Sequence, residues 1–168
     1  MKNTTLKKSK FAIEYENHAS DNRKSTGGKK SIAVNAVQST ITYDQEGLVR
    51  LLEEYRDGEE RQTVADLAMI SRSAYSAYLK GKKRPSEVTL IQLALYHKLD
   101  YEQAAKLLAA GGYNIECKTS FPMAVFTSFL KLRETDEKLY TDPEFFIEVC
   151  KKIAETEHVE LKDQIFKK

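Results

Sequence analysis

The chain has 168 residues, with 27 Lys and Arg against 25 Asp and Glu, three His, two Cys and no Trp; 41% of it is hydrophobic and 31% charged. No run approaches the ~20 apolar residues of a membrane span, no apolar stretch follows the basic start to make a secretory signal, and two cysteines cannot staple a chain of this size. The composition reads as a cytoplasmic protein with Cys117 and Cys150 reduced, long enough to bury roughly 70% of its unfolded surface, and a net charge of +2 assigns no partner by itself.

Residues 1–30 are polar and basic and cannot bury enough apolar surface to offset their ordering entropy, which predicts a flexible arm. Ile32, Val34, Val37, Ile41 and Tyr43 give 31–43 a β-rich composition with imperfect alternation, so this segment is expected to be a short strand or an irregular stretch. From Asp44 on, helical signals are dense. Asp44 can cap a helix carrying Leu48, Leu51, Leu52 and Tyr55 that stops at Asp57-Gly58. Short helices are predicted over 60–68 and 72–80, the second ending at Gly81, a residue that tolerates the left-handed conformation past a helix end. Pro85-Ser86 opens the next. Asp100 with Gln103 reads as a capping box for a helix through Ala110, closed by Gly111-Gly112. Ser120 and Pro122 start a helix to about 132, and Asp142-Pro143 start a longer one to about 157. The body is expected to be all-α: a bundle of about five helices over 44–112, then a helical extension over 113–168.

The window 61–81 is the informative one. Two short helices joined by a tight turn cross steeply, which needs a small residue where the second passes over the first. Ala65 is that residue, and Val64, Ala68, Ile70, Tyr75 and Tyr78 are spaced to point into one core. Ser71, Arg72, Ser73, Ser76 and Ala77 are then left on the outer face of the second helix. Charge sharpens the picture. Residues 1–47 carry a net +3, 48–112 a net +1 and 113–168 a net −2, yet Ser71 to Ser86 holds five basic residues and no acidic one. Arg72, Lys80, Lys82, Lys83 and Arg84 are expected to form one continuous positive stripe, uninterrupted by Glu59, Glu60 and Asp66.

The window resembles the Cro/C1-type (XRE-type) helix-turn-helix domain of bacterial and phage regulators. The resemblance runs on through Gly81-Lys-Lys-Arg-Pro85-Ser86, which matches that family's Gly, three variable residues, Pro, Ser, and through Leu90-Ile91-Gln-Leu93-Ala94, which looks like its fourth helix. It spans about Leu48 to Tyr113. It implies a regulator that places the helix near 71–80 in the major groove of double-stranded DNA. Ser71, Arg72, Ser73, Ser76 and Ala77 would face base edges, with Arg72 the one side chain able to make a bidentate contact to guanine. Arg61, Gln62, Lys80, Lys82, Lys83 and Arg84 would meet phosphates. The sequence departs from the family at Met69, where Gly is usual in the turn, and at Glu59 and Glu60.

Elsewhere the chemistry is bland. His18, His97 and His158 are far apart and no Cys, His and carboxylate group has metal-ligand spacing, so no metal and no cofactor are expected. Gly27-Gly28-Lys29-Lys30-Ser31 lacks the frame of a phosphate loop. No catalytic constellation is visible, and the chain is not expected to be an enzyme. The apolar, acidic 113–168 region would cap the core, and would also serve as a homodimer, effector or protein-partner surface. The alternative reading is a protein–protein interaction module on a helix-turn-helix scaffold, antitoxin-like or a phage-encoded inhibitor, with weak DNA binding or none.

Overall fold

The structure is a computed structural model; it describes residues 41–116, 120–135, 142–163 and 166. The expected arm over 1–30, and all but the last three residues of the segment over 31–43, lie outside the described residues. Seven helices are present among the described residues, with no strand: α1 (Gln45–Arg56), α2 (Arg61–Leu67), α3 (Arg72–Leu79), α4 (Glu87–Tyr96), α5 (Tyr101–Ala110), α6 (Phe121–Thr135) and α7 (Pro143–Glu157).

Local chemistry sets the boundaries. The Asp44 carboxylate accepts from Gly47 N at 2.9 Å and starts α1. Ser86 caps α4 by accepting from Thr89 N. Asp100 and Gln103 exchange both bonds of a capping box at α5. Asp142 accepts from Phe145 N at 2.7 Å, with Pro143 in the first turn of α7.

The core is built around α4. Val88, Leu90, Ile91, Leu93, Ala94 and Leu95 are all buried, so this helix has almost no solvent face. It packs against α5, α6 and α7, while α1 closes the other side against α3 and α5. From α6 come Met123, Val125, Phe126, Phe129 and Leu130, and from α7 come Phe146, Ile147, Cys150 and Ala154. The helices after Gly112 therefore share the core of the first five. Burial pushes the Cys150 thiol up to about 12, which suits a packing residue and not a nucleophile.

The loop after α3 is fixed by a distant contact. Gly81 takes φ 63, and a Cβ there would collide with the Gln45 side chain. Three residues on, Arg84 donates from Nε to the Gly111 carbonyl at 2.9 Å and from Nη2 to the Gly112 carbonyl at 3.4 Å. Its guanidinium lies over the rings of Tyr43 and Tyr113, 5.2 and 4.8 Å from their centroids. Gly112, at φ 81, leaves the room: a Cβ there would sit 2.7 Å from Arg84 Nη2. Arg84 thus ties the loop to the end of α5, where unpaired carbonyls of the last turn await donors.

Candidate nucleic-acid interface

Helices α2 and α3 cross over Ala65, which is fully buried together with Val64 and Ala68. Tyr75, Tyr78 and Leu79 face inward from α3. The turn between them closes by backbone bonds, Met69 N to Asp66 O at 3.1 Å and Ile70 N to Ala65 O at 2.8 Å. To make this turn Met69 adopts φ 58, the left-handed region where a side chain costs roughly 1–2 kcal/mol. Met69 is 43% exposed, so packing does not compensate for that strain.

A residue that the helical spacing passes over holds the turn. Gln92 on α4 is 0% exposed, and its Nε2 donates to the carbonyls of Ala68 at 3.0 Å and Met69 at 3.5 Å. It satisfies the carbonyl end of α2 and fixes where the turn sits on the core. The signal in the sequence was a single polar residue inside an otherwise apolar run, Leu90-Ile91-Gln92-Leu93-Ala94, since a buried amide is kept only with a partner.

On the outer face, Ser71, Arg72 and Ser73 are exposed, and Ser76 and Ala77 are half-buried. Ser71 also serves the fold, because its Oγ caps α3 by accepting from Ala74 N at 3.2 Å. Lys80, Lys82 and Lys83 are exposed at the end of α3 and in the following loop. Arg84 is exposed as well, but its donors face Gly111 and Gly112 as described. Arg61 and Gln62 open α2; Arg61 pairs with Glu53 of α1 at 3.1 Å.

The expected uninterrupted stripe is not what the structure shows. Asp66 on α2 reaches across the turn to Arg72, with Arg72 Nε to Oδ1 at 2.9 Å and Nη2 to Oδ2 at 2.5 Å. A window free of acids in sequence acquires one in space, because α2 lies against α3. The hydrogen bonds from Arg72 hold the Asp66 carboxyl below the usual carboxylate range and raise the guanidinium in turn. Glu59 accepts from the Tyr96 hydroxyl of α4 at 3.1 Å, and Glu60 precedes α2 without a side-chain capping bond.

Residues 52–108 match the family model described as Helix-turn-helix. The segment is a helix-turn-helix domain of the Cro/C1 (XRE) type. Its match lies inside the span read from sequence and covers α2 through most of α5. Comparison with curated proteins and with solved structures gives no match. The helix-turn-helix domain supports a DNA-binding, regulatory role in general terms. Among the described residues, no group of three or more His, Cys, Asp or Glu gathers where a metal could be held, and no helix is long and apolar enough to cross a membrane.

Proposed function

We propose that the chain is a sequence-specific, repressor-like transcriptional regulator that lays α3 in the major groove of double-stranded DNA. The observation that carries this is the division of α3: Tyr75, Tyr78 and Leu79 are buried, while Ser71, Arg72 and Ser73 stand exposed at its N-terminal end, the end that meets base edges in this fold. Arg72 would read guanine, with Ser71, Ser73, Ser76 and Ala77 lining the approach. Lys80, Lys82 and Lys83 would neutralise phosphates beside it, with Arg61 and Gln62 at the start of α2. Arg84 holds the loop that carries Lys82 and Lys83, through its bonds to the Gly111 and Gly112 carbonyls.

We further propose a cytoplasmic homodimer that pairs through the region over 113–168, so that two copies of α3 meet successive half-sites. Phe145 supports this: it is 45% exposed and stacks on Phe129, with ring centroids 5.7 Å apart. A groove of about 860 Å³ runs between the start of α3 and α7, lined in part by Ser71, Tyr78, Gln92, Ile147 and Lys151, which gives an effector access to both.

The test is retention of a random-sequence duplex library across a salt series, with the retained duplexes sequenced. The wild type should bind with affinity that falls steeply with salt. The double variant Lys82→Ala/Lys83→Ala should lower the salt slope by about 2, and Arg72→Ala should relax base preference by about tenfold. Equal binding by both variants and the wild type would sink the mechanism. The exposed Phe145 also favours the second reading, an antitoxin-like or inhibitory module that grips another protein. Co-purification of such a partner together with no salt-sensitive DNA binding would select that reading.

A further inference from the structure

We infer that Asp66 is a specificity-determining residue, a carboxylate that aims Arg72 at a base and keeps it from phosphate. The inference rests on the DNA-reading role proposed above for Arg72.

A guanidinium has two edges that can make paired hydrogen bonds, and in Arg72 one of them is taken. Nε and Nη2 both donate to the Asp66 carboxylate, in a fork-to-fork arrangement that fixes the plane of the group as well as its position. Nη1 lies 3.5 Å from Gln62 Oε1, a second contact back to α2. Beyond the carboxylate lies the terminal edge formed by Nη1 and Nη2, the pair of donors that matches O6 and N7 of guanine; the exposed Gln62 amide at 3.5 Å is its weak partner in the unbound protein and is displaced as a base enters. Arg72 is the first residue of α3, so this edge is presented at the end of the helix that enters the groove.

Three further points separate this role from a structural one. The side chains of Arg72 and Asp66 are 60% and 49% exposed, and an ion pair so open to water contributes little to folding. The carboxylate cancels the charge of Arg72 locally, so the pair attracts phosphate no better than a neutral group does, and that attraction falls to the lysines after α3. Finally, a long flexible arginine loses rotamer freedom when it binds a base; holding it beforehand removes that cost at the moment of recognition. A lone arginine here would bind DNA of any sequence. Paired, it binds only where a guanine offers the matching acceptors.

The experiment is selection of bound sites from a random duplex library by the full chain, followed by affinity measurements on selected and random DNA across salt. It uses wild type, Arg72→Ala, Asp66→Asn and Asp66→Ala, with thermal melts to show that each is folded. The wild type and Arg72→Ala establish which guanine depends on Arg72. Both Asp66 variants should then lose that preference by about tenfold, while affinity for random DNA rises and its salt slope steepens by about 1 as Arg72 is released to phosphate. Asp66 variants that keep the same guanine with the same ratio of selected to random affinity would overturn the inference, as would an equal loss of affinity for all DNA. A wild type that retains no duplex fails earlier, at the proposed function, and is distinguished by needing no variant to see it.

Discussion

Replacing Gln92 by Glu changes one atom's chemistry and almost nothing of its shape, and it tests how the helix-turn-helix turn is held. In the native protein Nε2 donates to the Ala68 and Met69 carbonyls from a position that is 0% exposed. In Gln92→Glu an ionised carboxylate would face two carbonyl oxygens there without water. Both burial and the acceptor neighbours favour the neutral acid, so the carboxyl pKa in the folded state should rise well above ~4.3. A rise of about 3 units corresponds to about 4 kcal/mol. The sign follows from linkage: with the folded pKa above the unfolded one, stability is retained below the unfolded value and is lost as pH climbs through the folded one. At about pH 4.5 the protonated acid can donate to the Ala68 carbonyl in place of the amide, and the variant should lie within about 1 kcal/mol of the wild type. By about pH 8 the deficit should approach 4 kcal/mol, a large share of the 5–15 kcal/mol typical of a domain. Urea unfolding of both proteins across that range measures it. A deficit that is the same at both ends, or absent at pH 8, would show that Gln92 does not hold the turn through this bond.

Four other substitutions probe neighbouring parts of the domain. Met69→Gly should stabilise the chain by about 0.5–1 kcal/mol in urea unfolding, because the left-handed strain removed exceeds the backbone entropy that glycine adds. Arg84→Ala should cost about 2–3 kcal/mol, from one charge-assisted bond to Gly111 and its two ring contacts, whereas Lys83→Ala should leave stability within about 0.5 kcal/mol and lower the salt slope of DNA binding by about 1. Tyr75→Phe removes a buried hydroxyl that has no partner among the described residues, so stability at neutral pH should hold or rise by up to about 1 kcal/mol. Burial pushes the Tyr75 hydroxyl up to about 12, above its ordinary 10, so the native phenol contributes stability below pH 10 that is lost as pH rises toward 12. The phenylalanine variant should flatten the alkaline limb of stability against pH.

What was legible in the sequence divides by distance along the chain. The helix starts at Asp44, Ser86, Asp100 and Asp142 were readable because a cap is a bond between residues three apart, and its partner is always present. The crossing of α2 and α3 was readable because Ala65 and the inward tyrosines obey a helical period. The contacts that hold the site were not readable, because each joins a side chain to a place that no period predicts. Gln92 finds the Ala68 carbonyl 24 residues away, and Arg84 finds Gly111 at 27. From sequence, Arg84 was one more phosphate cation, and Gln92 stood in an apolar run with no partner assigned.

Asp66 shows why counting charge along the chain misleads even when the count is right. From Ser71 to Ser86 the sequence offers five cations and no anion, and five phosphate contacts would steepen the salt dependence by about 4.5 per protomer. In the structure Arg72 is matched by Asp66, and Arg84 is turned toward the end of α5. On the proposed reading Lys80, Lys82 and Lys83 would then carry the window's phosphate attraction, and three contacts predict a slope nearer 2.7. The two cations withdrawn from that sum are not wasted charge. One fixes the loop on which the lysines stand, and on the proposed reading the other is held at the end of α3 that would enter the groove, where direction counts for more than attraction. If Arg72→Ala and Arg84→Ala each lowered the measured slope by about 0.9, both arginines would leave these contacts on binding, and the pairing with Asp66 would belong to the unbound protein alone.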